Sequence, residues 1–178
     1  MSALDKHFTT IRGIILIVIP ILNSSLLRFY FPENLSYFKE YWNLFALLGT
    51  VFIILGINIA RRGYQLKKRR REEKNTKLIT SGVFRIIRHP SYSAWVIIFI
   101  GMALISDSII SLIMCPIILI SFEIHASFEE KRVFFPRHGS KYNDYMEITP
   151  YRIIPTPLNF FLVIITMIII YVGFLNTA

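Results

Sequence analysis

Cysteine occurs once in the 178 residues, at Cys115 inside an apolar run, which excludes a disulfide or a cysteine metal cluster within the chain. No H-E-x-x-H run or paired-cysteine spacing is present either, so no metal site is expected. Gly-x-Gly is missing throughout, which removes the glycine-rich turn that soluble nucleotide-binding folds place after a strand. Charge is scarce as well. Only 17% of residues are Asp, Glu, Lys or Arg, too few to clothe a soluble domain of this length. The chain is instead 54% hydrophobic, with 15 Phe, 9 Tyr and a mean hydropathy of +0.53. That composition reads as one integral membrane domain over residues 1–178 and excludes disordered, collagen-like and disulfide-scaffold classes.

Four apolar blocks carry this hydrophobicity, roughly 11–31, 42–60, 91–125 and 158–175. A helix needs about 20 residues to cross the hydrocarbon, so the third block, at 35 residues, is expected to divide at Ser106-Asp107-Ser108. The expected fold is all-α, a polytopic bundle of about five spans at 11–31, 42–60, 91–105, 109–126 and 158–176. The first block opens like a signal peptide but no small-residue cleavage site follows it, so it reads as a retained span bent near Pro20. Of the 20 Lys and Arg residues, 18 fall in segments 1–12, 61–93 and 127–157, leaving Arg28 and Lys39 outside them. The positive-inside rule then puts the amino terminus and these segments in the cytoplasm. The run Lys67-Lys68-Arg69-Arg70-Arg71 reads first as a topology signal and a contact for anionic lipid, not for nucleic acid. Asn34-Leu35-Ser36 fits a glycosylation sequon in the outer loop.

Titratable and aromatic residues crowd where the inner segments meet the spans. In Leu78 to Tyr92, Gly82 permits a turn, and Pro90 suits the first turn of a helix, where its missing N–H costs nothing. Residues 88–92 therefore surround a helix amino terminus, whose free N–H groups and dipole favour a carboxylate or phosphate. In Glu123 to Val133, His125 and Glu129 share a helix face, with Arg132 near one further turn along. Spacing alone leaves two readings open at both places: a polar site at the cytoplasmic rim, or an interfacial belt of capped, solvated helix ends.

The pattern G-x-F-x-x-x-R-H-P-x-Y over Gly82 to Tyr92, then E-E-x-x-V-x-x-x-x-x-G-x-x-Y-x-x-Y over Glu129 to Tyr145, then Arg152 and Pro155, resembles the isoprenylcysteine carboxyl methyltransferases and their phospholipid methyltransferase relatives. The resemblance covers about residues 65–155. It implies an S-adenosylmethionine site built from the loops between spans 2 and 3 and between spans 4 and 5. Thr76, Lys77, Leu78, Ile79, Phe84, His89, Pro90, Ser91, Tyr92 and Glu129 would hold the cofactor. Arg88, Glu130 and His125 would be catalytic, and His125 and Arg152 would meet the substrate. Three positions depart from the pattern: Phe84 replaces a commoner Tyr, His138 stands where a Phe often precedes the Gly, and His125 occupies the place of a substrate-holding Arg.

The reaction implied is carboxyl O-methylation of an isoprenylcysteine-like acceptor whose lipid tail enters between spans, with anionic lipids at the cytoplasmic face. A carboxylate acceptor is already nucleophilic and needs alignment and dehydration, whereas an amine must first lose a proton to a base such as Glu130, His125 or Tyr92. The Arg88 and Arg152 cations favour the anionic acceptor. The alternatives are phospholipid N-methylation with the same cofactor, a sterol-type reductase using a nicotinamide, and a non-enzymatic membrane scaffold.

Overall fold

The computed structural model describes residues 42–74, 77–106 and 109–155, together with Phe160, Val163, Ile164 and Met167. Every regular element among the described residues is helical. In chain order these are α1 (Trp42–Glu72), a single 3-10 turn (Gly82–Arg85), α2 (Pro90–Ile105), α3 (Ile109–Glu129), a wide π-type turn (Glu130–Phe134), α4 (Phe135–His138) and α5 (Ser140–Ile148). The expected span at 11–31, the outer-loop sequon and most of the expected span at 158–176 lie outside the described residues.

α1 is longer than the expected span of 42–60. It runs for 31 residues, about 46 Å at 1.5 Å per residue, and passes without a break into the basic run. Arg, Lys, Gln and Glu sustain a helix well, and Arg69, Arg70 and Arg71 in the last turn oppose the negative end of its dipole. Among the described residues Asn43–Glu72 is the helix long and apolar enough to cross a bilayer, with a mean hydropathy of 2.1 in its apolar window. Leu47, Val51, Ile54 and Leu55 stand exposed along it, a surface suited to hydrocarbon and not to water. α2 is also apolar but shorter, at 16 residues. Its end at Ile105 and the start of α3 at Ile109 bracket the polar turn expected there, and α3 runs three residues past the expected limit of 126.

Glycines set the approach of α1 to α2. Gly49, Gly56 and Gly63 are spaced seven apart, so they share one face of α1. A Cβ added at Gly49 would stand 2.5 Å from the Gly101 carbonyl oxygen, and one added at Gly101 would stand 2.5 Å from that of Gly49. At Gly56 it would meet Ile98 Cγ1 at 2.6 Å and the Ala94 carbonyl at 2.8 Å. Small residues thus let the two backbones touch, the packing that hydrocarbon surroundings favour. On its other side α2 joins α3 through Val96, Phe99, Ile100, Ala103, Ile118, Leu119 and Phe122, and Ile153 and Ile154 close that core.

Candidate functional site

Where α1 ends, the chain turns back to start α2. Gly82 makes this turn at φ +61, a conformation that side-chain-bearing residues rarely adopt, and Pro90 occupies the first turn of α2. The loop between them is fastened to residues about 60 positions later. The backbone N–H groups of Arg88 and His89 donate to the carbonyls of Tyr151 (3.0 Å) and Arg152 (2.9 Å). Tyr145 Oη donates to the Phe84 carbonyl at 2.6 Å, Thr149 Oγ1 to that of Arg85 at 3.2 Å, and Ser93 Oγ to that of Ile153. Arg88 Nη1 adds the carbonyls of Thr149 (2.8 Å) and Pro150 (3.0 Å).

Glu130 lies at the centre, its side chain 3% exposed. Its Oε1 accepts from Arg88 Nε at 2.9 Å and contacts His89 Nε2 at 3.1 Å, and its Oε2 accepts from Arg152 Nε at 3.1 Å. Arg152 also donates Nη1 to Glu123 Oε2 at 3.1 Å. The neighbouring Glu129 is one-third exposed; its Oε2 accepts from Tyr92 Oη at 2.7 Å and lies 3.5 Å from His89 Nδ1. Burial by itself would raise the Glu130 pKa, but the His89 hydrogen bond and the Arg88 and Arg152 charges overcome it and hold the group at about 2. Burial works against the His89 cation too, and the two carboxylates outweigh it, so His89 titrates above its ordinary 6.5.

These shifts give stability a two-sided pH dependence. Glu130 is depressed from 4.5 to about 2, so its contribution, on the order of 3 kcal/mol at 1.36 kcal/mol per unit, is complete above about pH 4.5 and lost as pH falls towards 2. His89 is raised, so its contribution is complete below 6.5 and lost as pH climbs through its folded value. Thermal unfolding in detergent across the pH range is expected to show greatest stability between about pH 4.5 and 6.5 from these two groups, with decline on both sides. A melting temperature that holds constant from pH 5 to 2 would refute the Glu130 part.

Against this network opens a cavity of about 1060 Å³, at the upper end of the roughly 300–1,000 Å³ usual for small-molecule sites. Of the residues picked from sequence, Lys77, Leu78, Ile79, Phe84, Arg88, His89, Pro90, Ser91, Tyr92 and Glu129 line it. Thr76 lies outside the described residues. Glu130, His125 and Arg152 do not line the cavity: Glu130 is buried behind it, Arg152 is held by Glu123 and Glu130, and the His125 ring packs edge-on to Tyr92 at 5.5 Å. Sequence reasoning missed Lys67 and Arg70, whose i,i+3 spacing puts both on one side of α1. Lys67 Nζ bonds Ser91 Oγ at 3.2 Å and sits 5.8 Å from the centre of the Phe84 ring, while Arg70 donates to the carbonyls of Lys77 and Leu78, fixing the strip that forms one wall. It also missed Phe134, Arg137 and Lys141, and gave no site role to the motif residues Tyr142 and Tyr145, all brought in after Glu129. Burial pushes the Tyr145 phenol up to about 12, so it acts as a neutral donor.

The architecture is that of a helical protein with a cationic, ligand-sized cavity at the polar end of a membrane-capable helix. The chain belongs to the phospholipid methyltransferase family, whose pattern it matches over residues 9–141. Two proteins described as probable protein-S-isoprenylcysteine O-methyltransferases, from Oryza sativa subsp. indica and subsp. japonica, are each 32% identical over 127 residues, 66% of this chain and 62% of theirs. Protein-S-isoprenylcysteine O-methyltransferase B of Arabidopsis thaliana is 32% identical over 120 residues, 63% of this chain and 60% of that protein. The chain thus spans less than two thirds of the length of these relatives. No solved structure matches it.

Proposed function

We propose that the protein is an S-adenosylmethionine-dependent methyltransferase acting on a lipid-type acceptor held in the membrane, by carboxyl O-methylation of an isoprenylcysteine-like group. The carrying observation is that the His89 to Tyr92 turn and Glu129, 37 or more residues apart, meet on one cavity, with Tyr92 Oη 2.7 Å from Glu129 Oε2. The donor set fits that cofactor. Glu129 suits an ammonium or ribose hydroxyls, Phe84, Leu78 and Ile79 offer a flat apolar slot for adenine, and Lys67 beside the α2 amino terminus suits a carboxylate. When bound, the cofactor supplies an electrophilic methyl group on a sulfonium.

The site residues divide by what they hold. Glu129, Tyr92, Phe84 and Lys67 touch the ligands, whereas Arg88 and Glu130 act through what they hold. The Arg88 and Arg152 cations, taken from sequence as a reason for an anionic acceptor, are already answered by Glu130 and Glu123. That reasoning passes to Arg70, Arg137 and Lys141, which line the cavity, and to Lys67, whose charge Glu129 partly offsets. For a carboxylate acceptor the chain's task is alignment and exclusion of water, which supplies about 7–11 kcal/mol in favourable cases. The positive-inside bias of the basic segments supports reading the cavity as one at the cytoplasmic face of a multi-pass protein, where anionic lipids would gather and the acceptor's tail would reach it from the bilayer.

The family's description supports a second reading, phospholipid N-methylation. There the amine proton must leave, and Tyr92 hydrogen-bonded to Glu129 is the cavity's available relay. Calorimetry on purified protein is expected to show S-adenosylmethionine binding that Glu129→Gln weakens about ten- to a hundredfold, the value of a charge-assisted hydrogen bond of about 1.5–3 kcal/mol. Unchanged affinity in folded variant would remove Glu129 from the site. Labelled methyl transfer to a prenylcysteine analogue, set against phosphatidylethanolamine, decides the acceptor.

A further inference from the structure

We infer that Glu130 is a positioning residue: through the His89 ring it fixes Glu129, and with it the one carboxylate oxygen left for a ligand. The inference rests on reading the cavity as the S-adenosylmethionine site. Consecutive side chains on an α-helix point about 100° apart, so Glu129 and Glu130 would not ordinarily reach one small ring from opposite edges. Here the helix widens into the π-type turn that starts at Glu130, a departure that often marks functional sites. His89 is the ring they share: Nε2 lies 3.1 Å from Glu130 Oε1, and Nδ1 lies 3.5 Å from Glu129 Oε2.

A neutral imidazole has one N–H and one lone pair, so between two carboxylates it must turn the lone pair on one of them. Only the imidazolium donates on both sides. Tyr92, parallel to the ring at 5.3 Å, and Phe134, edge-on at 5.8 Å, stop it from rotating away. The charged groups around His89 come from each packed element: Glu129 at the end of α3, Glu130 on the wide turn, Arg88 on its own loop, Arg152 beyond Glu130, and Lys67 of α1 acting on Glu129. Glu130 therefore keeps the ring charged, the charged ring and Tyr92 occupy Glu129 Oε2, and Oε1 is left for the ligand. Burial disfavours the His89 cation, and the two carboxylates reverse that. Glu130 itself lies behind the cavity wall, which is why its influence must pass through His89.

Glu130→Gln keeps the volume and removes the charge. In the full-length protein it is expected to weaken S-adenosylmethionine binding about tenfold, the equivalent of one pKa unit. The alkaline limb of the affinity profile should move to lower pH by about one unit. A merely structural loss would lower folded yield and leave that limb in place. Nitrogen NMR of His89 in the wild-type chain gives a reading independent of any variant: both ring nitrogens protonated at about pH 7 is the expected result. A neutral ring there, or a Gln variant with unchanged affinity and pH limb, overturns the inference. Wild-type protein that binds no S-adenosylmethionine overturns the reading of the cavity instead, and the His89 spectrum of wild type set against that of Glu130→Gln then decides whether Glu130 sets the charge of the ring.

Discussion

Arg88→Ala is expected to cost folded protein as well as turnover. The Arg88 side chain is 7% exposed and makes three hydrogen bonds, to Glu130 and to the carbonyls of Thr149 and Pro150. Truncation leaves Glu130 buried with only His89 and Arg152 to answer its charge, and breaking a buried pair by removing one partner costs about 3–5 kcal/mol. It also removes two of the hydrogen bonds that tie residues 149–150 to the loop. Sequence alone suggests that this variant would express near normally, because an Arg beside a helix amino terminus reads as a ligand-facing group. Arg88→Lys should recover only part of the loss, since an ammonium cannot serve a carboxylate and two carbonyls in a fixed planar fork. Thermal unfolding and the yield of monodisperse protein measure the effect. An Arg88→Ala protein that melts with wild type would mean the network contributes nothing to the fold.

Gly101→Leu should also destabilise the protein, by a different route. Its first added carbon would stand 2.5 Å from the Gly49 carbonyl oxygen and 2.8 Å from Ile53 Cγ1. The oxygen belongs to a helix backbone and has no rotamer to escape into, so α1 must move away from α2 along its length. Overpacking of a tight core costs about 1–3 kcal/mol, and contact with backbone puts this change at the upper end. Because α1 carries Lys67 and Arg70 to the cavity, ligand affinity should fall together with stability. Val51→Leu on the exposed side of the same helix is the matched control and should change neither. If Gly101→Leu melts like the wild type, the helices do not depend on this crossing.

Much of this arrangement was legible in the residues, for identifiable reasons. The break between α2 and α3 announces itself because Asp107 has no place in hydrocarbon, and Pro90 marks a helix start because it cannot donate within one. The meeting of the His89 turn with Glu129 was legible only through resemblance; no periodicity connects positions 40 apart. Lys67 and Arg70 were hidden by a competing explanation, since a run of five cations satisfies the topology rule whatever else two of them do. The roles of Arg88 and Glu130 could not be read because each is the other's partner, and pairing across 42 residues leaves no trace in spacing. Gly49, Gly56 and Gly63 do repeat every seven residues, a usable signal that the surrounding hydrophobicity masked.

The loop around His89 hangs on carbonyls of residues 149–153, some sixty positions downstream. During synthesis, α1 and α2 can leave the ribosome and dock through their glycines while the cavity still lacks a wall. Until residues 149–152 have emerged, Arg88 has no carbonyl to hold and Glu130 has no Arg152. A nascent chain halted before that point would therefore hold paired helices but no site.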